Sequence, residues 1–308
     1  MHKKDKRLLI PQISGKWWSI AGNPDLGRYN REGQQPLDFA IWQAADQTWQ
    51  MVACCRRTGC GGEGRLFHRW QTDALLKENW SPMGVFMEAD PNVGETAGGL
   101  QAPNVIRHDG GYFMFYGDWI NICAAWSRDG KTFTRLLGPN RLSALFTDGN
   151  KPSARDPHVM ALGDKFHIYY TGISDDKGQI FCRISDDLRT WSESVIVNSG
   201  GSAGDGPSDA ECPFVIHHPE NRMFYLFRTH TVHNGEGYGT TVYCSSNPRD
   251  FGVDTDEFKI ASLPFEAVRL VEHDDHHYVA ALKPDLTGMM MAKLKWVTAP
   301  ATGVADPE

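Results

Sequence analysis

An all-β fold made of five repeated units is predicted by three features of the sequence. A short apolar phrase recurs with its anchor residue at positions 39, 103, 157, 213 and 267, a spacing of roughly 55 residues that is typical of propellers. Each phrase is followed by a polar turn and then by a dense apolar run, and helical periodicity is nearly absent. We therefore predict a five-bladed β-propeller with four antiparallel strands in each blade.

The five phrases are interpreted as the innermost strands, one for each blade. They are Pro36–Trp42, Gln101–Ile106, Arg155–Met160, Glu211–Ile216 and Phe265–Leu270. The blades are then expected to start near residues 36, 100, 154, 210 and 264 of a single domain that spans residues 1–308. A β-sandwich is the alternative fold, and the regular spacing of the phrases argues against it.

The remaining strands follow in the same order within each unit. The second strands are predicted at Trp49–Ala53, Tyr112–Tyr116, Phe166–Tyr170, Met223–Phe227 and His277–Ala281. Third strands include Ile122–Trp126, Ile180–Ile184 and Thr241–Cys244, and Ser194–Val197 is predicted as an outer strand. No fourth strand is evident after Trp296, so we expect Lys16–Ile20 to supply it and to close the ring.

Composition limits the partners of the chain. Of its 308 residues 41% are hydrophobic, which is enough for a sizeable core. The formal net charge of −7 argues against a nucleic-acid partner, which would require clustered Lys and Arg. No apolar run is long enough to cross a membrane, and Leu8–Ile10 is too short for a signal-peptide core. We therefore expect a cytoplasmic protein without nucleic-acid or membrane partners, whose oligomeric state the sequence leaves open.

Carboxylates recur at related positions of four of the five innermost strands. Alignment of the phrases places Asp38, Asp156 and Glu266 near one level of the axis, and Glu211 one residue earlier. Cleavage of a glycosidic bond requires one carboxylic acid and a second carboxylate, and a third negative charge keeps the acid protonated. Asp38, Asp156 and Glu211 meet these requirements, although each has a structural alternative in a turn, a strand start or a strand edge.

The ordered set of Asp38, Arg155-Asp156-Pro157 and Glu211-Cys212-Pro213 resembles the five-bladed propeller glycosidases. These form the arabinanase, levansucrase and invertase superfamily, which includes glycoside hydrolase families 43 and 32. The resemblance implies that Asp38 is a general base or a nucleophile. It implies further that Asp156 stabilises the transition state or tunes the acid, and that Glu211 is the general acid.

The chain departs from the family 32 pattern at its first carboxylate. Asp38 is followed by Phe39 instead of the Pro-Asn of that family, and the additional β-sandwich typical of family 32 is missing. The resemblance is therefore closer to family 43 and favours inversion of the anomeric configuration. Asp25, in Asn23-Pro24-Asp25, is the alternative first carboxylate.

Further side chains near the predicted axis are expected to bind substrate. They are Trp42, Gln101, Asn104, Trp119, Arg155, His158, Arg228, His230 and Glu266. Indole rings offer flat apolar faces to sugar C–H groups, and the Arg and His side chains add positive charge. Arg155 could alternatively pair with a carboxylate. Glu266 could alternatively balance the charge of Arg269. The Gly-rich stretch Val232–Gly239 is interpreted as a mobile loop at the rim of the funnel.

No cofactor is predicted. Cys54, Cys55 and Cys60 lack the spacing of a zinc site, and His273–His277 is interpreted as a solvated hairpin turn. The family resemblance allows a calcium ion on the axis near His158, but no acidic, oxygen-rich loop supports one, so a required metal is not predicted.

The predicted function is that of a glycoside hydrolase that cleaves a terminal bond of an oligosaccharide, its expected partner. Two alternatives remain open. A glycoside phosphorylase on the same fold would bind phosphate at Arg155, Arg228, His230 and Arg269. A carbohydrate-binding propeller would need none of the three carboxylates for function.

Overall fold

The computed structural model describes residues 7–232 and 237–299. Strands dominate this part of the chain, and its only helices are the 3-10 turns Gly27–Tyr29, Pro91–Val93 and Gly201–Ala203. Accordingly, no helix within these ranges is long and apolar enough to cross a membrane. The central part of the predicted rim loop Val232–Gly239 lies outside the described residues.

The strands form five antiparallel sheets, and each sheet is one blade of a β-propeller. Two N-terminal strands come first, β1 (Leu9–Ile13) and β2 (Trp18–Gly22). The first blade comprises β3 (Gln35–Gln43), β4 (Trp49–Arg56), β5 (Leu66–Thr72) and β6 (Ser81–Met87). The second comprises β7 (Gln101–His108), β8 (Gly111–Gly117), β9 (Ile122–Ser127) and β10 (Thr134–Arg135), with β11 (Ala144–Phe146) also pairing with β9.

The later blades repeat this order. The third comprises β12 (Lys151–Leu162), β13 (Lys165–Ser174), β14 (Lys177–Ser185) and β15 (Val195–Ser199). The fourth comprises β16 (Glu211–His217), β17 (Phe224–Thr231), β18 (Tyr238–Ser245) and β19 (Lys259–Leu263). The fifth comprises β20 (Arg269–His273), β21 (His276–Leu282) and β22 (Gly288–Thr298). The predicted five-bladed, all-β architecture is confirmed.

The N-terminal strands occupy the outer position of the fifth blade. β1 pairs with the second half of β22, from Leu9 opposite Thr298 to Ile13 opposite Leu294. β2 pairs with the first half of the same strand, with Trp18 opposite Met291. Two short strands therefore complete the blade, and the pairing segment begins earlier in the chain than the predicted Lys16–Ile20.

Five apolar clusters fill the interfaces between adjacent blades. Met51 of the first blade and Met291 of the fifth share one cluster, so the ring is closed by side-chain packing as well as by strand pairing. The other four clusters lie between the remaining neighbouring blades. Burial of each large apolar side chain contributes about 1.5–3 kcal/mol, and these clusters hold the innermost strands in place around the axis.

The innermost strands share a local irregularity where they begin. Their pairing shifts register between Leu37 and Phe39, and again at Gln101, Arg155 and Glu211 in the next three blades. Such bulges bend a strand and redirect its side chains. The polar residues at the starts of these strands are therefore directed by bulges, which explains why they converge at one end of the axis.

Candidate active site

A cavity of about 190 Å³ lies at the axis, at the end where the innermost strands begin. All five blades or the loops that join them contribute to its wall. The lining residues are Leu37, Asp38, Arg56, Arg65, Gln101, Arg155, Asp156, Ser208, Glu211, Cys212, Thr229, Tyr238, Glu266 and Leu286. Four of these residues carry carboxylates and three carry guanidinium groups, so the cavity is rich in charge of both signs.

Asp156 is the most deeply buried carboxylate of the cavity, with 3% of the residue exposed. Its Oδ2 accepts hydrogen bonds from the Thr171 hydroxyl at 3.1 Å and from the Cys212 backbone N–H at 3.2 Å. Burial, followed by the charge of Asp38, raises the pKa of Asp156 above its ordinary value, whereas Arg155 acts in the opposite direction. The surrounding donors fix the orientation of this carboxyl group.

Glu211 is linked to Asp156 through Arg155. An Nη2–H of Arg155 donates to Oε1 of Glu211 at 2.7 Å, and Nε of the same guanidinium lies 3.7 Å from Oδ2 of Asp156. Burial, with the negative charge of Asp156 adding to it, raises the pKa of Glu211 to about 7, although Arg155 opposes the shift. The side chain is still 22% exposed, so a ligand in the cavity has access to it. Glu211 is therefore suited to act as an acid near neutral pH.

Asp38 faces these two residues from the first blade. It is half-buried, and the Cys212 thiol donates to its Oδ1 at 3.1 Å. Burial raises the pKa of the Cys212 thiol well above its ordinary value, so the sulfur keeps its proton and acts as a donor. Cys212 thus contacts Asp156 through its backbone and Asp38 through its side chain, and joins the two carboxylates.

Backbone conformation changes the alignment of the fifth blade. Asp156 and Cys212 have φ values of 56° and 48°, and Ala267 has the same left-handed conformation at 53°. The Ala267 N–H donates to the Thr229 hydroxyl at 3.0 Å, much as the Cys212 N–H donates to Asp156. Ala267 is therefore the equivalent of Asp156, and Glu266 lies one position earlier than the sequence alignment placed it.

Glu266 lines the cavity at the position equivalent to Glu211. It is half-buried, and burial, followed by the charges of Asp38 and Glu211, raises its pKa to about 7 while Arg56 opposes the shift. Gln101 occupies the corresponding position on the second blade, and its buried Oε1 has no hydrogen-bond partner. Both side chains are available to bind hydroxyl groups of a ligand.

Six of the predicted substrate-binding residues do not line the cavity, and two of them, Trp42 and Arg228, are buried between blades. Trp42 is only 7% exposed, and its indole N–H donates to the Gly130 carbonyl at 2.8 Å within the packing of the first two blades. Arg228 is fully buried and directs its guanidinium to backbone and side-chain oxygens between the third and fourth blades. The alternation of side chains along a strand predicted on which face of the sheet each residue lies. It did not predict that Trp42 and Arg228 lie in the packing between blades, away from the cavity.

Asn104 and His158 do not line the cavity and instead connect the second, third and fourth blades. Asn104 accepts from the Val159 N–H at 3.0 Å, and its amide lies 3.4 Å from Nδ1 of His158. His158 Nε2 lies 2.8 Å from the Val215 carbonyl, which assigns the proton to that nitrogen. Burial lowers the pKa of His158 to about 3, so the ring is neutral and structural.

The last two predicted residues lie near the cavity without lining it. Trp119 is half-buried, with its ring centroid 5.1 Å from the guanidinium carbon of Arg65, which does line the cavity. His230 is half-buried, and its Nδ1 lies 3.0 Å from the Thr231 carbonyl.

Asp25, the alternative first carboxylate, is exposed on a loop. Its Oδ1 accepts from the Gly27 N–H at 2.8 Å, which identifies it as a turn-stabilising residue.

Several cavity residues were missed from the sequence, notably Arg56, Arg65, Tyr238 and Leu286. They share one topological feature: each lies at the end of a second strand, the start of a third, or the hairpin between them. In an antiparallel blade these positions lie at the same end as the start of the innermost strand. This rule would have placed them at the cavity, had the strand boundaries been known.

A cation would have one candidate position within the described ranges. Oxygen atoms of Asp38 and Asp156 and the Cys212 sulfur lie within 4.8 Å of one another. The donor set fits a metal poorly, because the thiol is protonated and donates to Asp38 while Asp156 already accepts two hydrogen bonds. The arrangement is better suited to carboxylates that act directly.

Solved structures that superpose on this chain include glycoside hydrolases. A thermostable family-43 glycoside hydrolase superposes with a TM-score of 0.65 and 18% identity, covering 94% of this chain and 100% of that chain. An exo-1,5-α-L-arabinanase from a bovine ruminal metagenomic library gives a TM-score of 0.61 and 15% identity, covering 84% and 92%. A variant of a Bombyx mori family-32 β-fructofuranosidase in complex with sucrose gives 0.60 and 14%, covering 96% and 64%.

At these identities the similarity establishes a shared five-bladed propeller fold. No protein-family profile matches the sequence, and no curated protein matches it. The residues of the cavity, and not the fold, therefore indicate which chemistry this chain performs.

Proposed function

We propose that this protein is a glycoside hydrolase that cleaves a terminal glycosidic bond of an oligosaccharide and inverts the anomeric configuration. One observation carries the proposal: Glu211, whose pKa is raised to about 7, shares a cavity of about 190 Å³ with Asp156 and Asp38. A carboxylic acid that keeps its proton near neutral pH, with further carboxylates beside it, is what protonation of a glycosidic oxygen requires. The fold shared with glycoside hydrolases supports the proposal.

Each of the three carboxylates has a separate role in the proposed reaction. Glu211 transfers its proton to the departing glycosidic oxygen as the bond to the anomeric carbon breaks. Asp38 accepts a proton from the water molecule whose oxygen forms the new bond to that carbon. Asp156, held by Thr171 and the Cys212 backbone, stabilises the positive charge that develops on the sugar ring.

The rate should fall on the alkaline side as Glu211 loses its proton. Because the pKa of Glu211 is raised to about 7, the protonated acid is present below that pH and is lost above it. We expect kcat/KM to decrease above about pH 7 in a pH–rate profile. Glu266 has a similar pKa, so the profile of Glu266→Gln is the control. An alkaline limb that disappears in Glu266→Gln would assign the essential proton to Glu266.

Product analysis tests both the reaction and its stereochemistry. A panel of aryl glycosides and plant and algal oligosaccharides should identify a terminal sugar that the protein releases. Proton NMR of the first product should then show the anomer opposite to that of the substrate, since we propose a water attack assisted by Asp38. Release of the same anomer would show retention and would make Asp38 a nucleophile.

Phosphorolysis is the second candidate reaction, because Arg56, Arg65 and Arg155 line the cavity. The predicted phosphate site is not assembled, since Arg228 is fully buried and Arg269 donates to backbone carbonyls. We expect turnover in phosphate-free buffer, with and without a chelator. A strict requirement for phosphate, with a sugar phosphate as product, would replace hydrolysis by phosphorolysis.

A further inference from the structure

A second pocket adjoins the catalytic cavity between the fourth and fifth blades. It has a volume of about 500 Å³, and it shares Tyr238, Glu266 and Leu286 with the catalytic cavity. The rest of its wall is mainly apolar and includes Phe265 and Leu282, which are 6% and 2% exposed. The two spaces therefore share a wall, but one is lined by charged groups and the other mainly by apolar side chains.

Leu286 stands at the junction of the two spaces in a strained conformation. It lies in the hairpin between β21 and β22, with φ at 57°. A side chain in this left-handed region costs free energy that Gly avoids. The turn itself is fixed by backbone bonds, from Leu286 N–H to Lys283 O at 2.8 Å and from Lys283 N–H to Gly288 O at 2.9 Å. Gly would satisfy these bonds without strain, but the isobutyl group is half-buried, packs against the apolar cluster of the first and fifth blades, and lines both spaces.

The position of the acid relates the second pocket to the leaving group. Glu211 and Tyr238 both belong to the fourth blade, and Glu266 follows on the loop that leads to the fifth. Tyr238 lines the cavity together with Glu211 and Glu266, and burial, followed by the charges of these two carboxylates, raises its pKa. A group attached to the oxygen that Glu211 protonates has the second pocket beside it, on the side of Tyr238 and Leu286.

We propose that the pocket lined by Tyr238, Phe265, Leu282 and Leu286 is the leaving-group subsite, and that it takes an aromatic aglycone. The inference rests on the proposed function and extends its substrates to glycosides whose leaving group carries an aromatic ring. A wall of mainly apolar side chains that includes one phenol suits such a ring, since binding removes apolar surface on both partners from water. Tyr238, 36% exposed, provides the accessible ring face.

Leu286→Gly tests the subsite with two substrates of the same sugar. Because Leu286 also lines the catalytic cavity, both substrates lose some kcat/KM, and we expect the loss for the phenyl glycoside to exceed that for the methyl glycoside at least about fivefold, equivalent to about 1 kcal/mol. For each substrate, kcat/KM of the variant is divided by kcat/KM of the wild-type protein. The different leaving-group abilities of phenol and methanol therefore do not affect the comparison. Thermal melting should show a moderate loss of stability, because Gly relieves the strain but removes the packing of Leu286 against its apolar cluster and increases the freedom of the unfolded chain.

Arg222→Gly is the matched control. Arg222 has φ at 58°, is exposed, and lies in the β16–β17 hairpin at the opposite end of the blade. Arg222→Gly should leave kcat/KM unchanged for both the phenyl and the methyl glycoside. Equal losses for the two substrates in Leu286→Gly would overturn the subsite while leaving the hydrolase intact. If no glycoside or oligosaccharide is cleaved, the proposed function fails and the subsite fails with it.

Discussion

Glu211→Gln should lower kcat by about 10²–10⁴-fold, because it removes the proton donor and keeps the shape of the side chain. The amide carbonyl of the substituted side chain can still accept from Arg155, which donates to Glu211 Oε1 at 2.7 Å, so the fold and KM should change little. The loss should be larger for a methyl glycoside than for a p-nitrophenyl glycoside, since nitrophenolate leaves without protonation. Steady-state kinetics on both substrates, with circular dichroism of the variant, provide the measurement.

Glu266→Gln is the matched control for this result. Glu266 lies in the same cavity at the equivalent position of the next blade, and its pKa is also raised to about 7. If it binds substrate hydroxyls, its amide variant should mainly raise KM and retain most of kcat. If Glu211→Gln keeps the wild-type kcat and Glu266→Gln loses it, Glu266 is the acid. Full function in both variants would support a carbohydrate-binding propeller instead.

The fold was predictable because its information is repeated along the sequence. Each blade carries an apolar phrase, a turn and two apolar runs, so an error in one unit is corrected by the other four. The N-terminal strands were harder to place. β1 and β2 each lack a strand partner nearby in sequence, and both pair with β22, near the other end of the described chain. Pairing at that distance depends on closure of the ring, which no local pattern encodes.

The site was predictable only where side chains occur in a distinctive order. Asp38, Asp156 and Glu211 were found because they recur at related positions of the innermost strands, and the structure brings them into one cavity. The position of Glu266 was wrong by one residue, because the left-handed conformation of Ala267 is not visible in the sequence. Alternation assigns a face of a strand, but the bulge that changes it depends on tertiary contacts.

Arg228 shows the same limit with a larger energetic consequence. Its sequence position, at the end of a strand near the axis, suggested a substrate-binding cation. In the structure it is fully buried, and its guanidinium donates to the carbonyls of Asp209 at 2.6 Å, Gly200 at 3.1 Å and Gly204 at 3.1 Å. It also donates to Oδ1 of Asn198 at 2.8 Å. Arg228 therefore holds the segment that leads into β16, the strand that begins with Glu211.

Arg228→Met should destabilise the protein by about 3 kcal/mol or more. Three backbone carbonyls lose a donor, and each unsatisfied buried group costs about 1–3 kcal/mol. Thermal melting should shift downwards by roughly 6 °C or more, since 1 kcal/mol corresponds to about 2–4 °C in larger domains. Arg228→Lys should recover part of the loss, because an ammonium group keeps the charge but cannot reach all of these acceptors.

A comparison with Arg56→Met separates a structural role from a binding role. Arg56 lines the cavity, and its Nε–H donates to the Gln35 side chain at 2.9 Å. The Arg56→Met variant should have a raised KM and a nearly unchanged melting temperature. The main effect of Arg228→Met should instead be a lower melting temperature. A normal melting temperature with a raised KM in Arg228→Met would restore it as a substrate ligand. Because Arg228 supports the segment before Glu211, a correctly folded variant should show a lower kcat more than a higher KM.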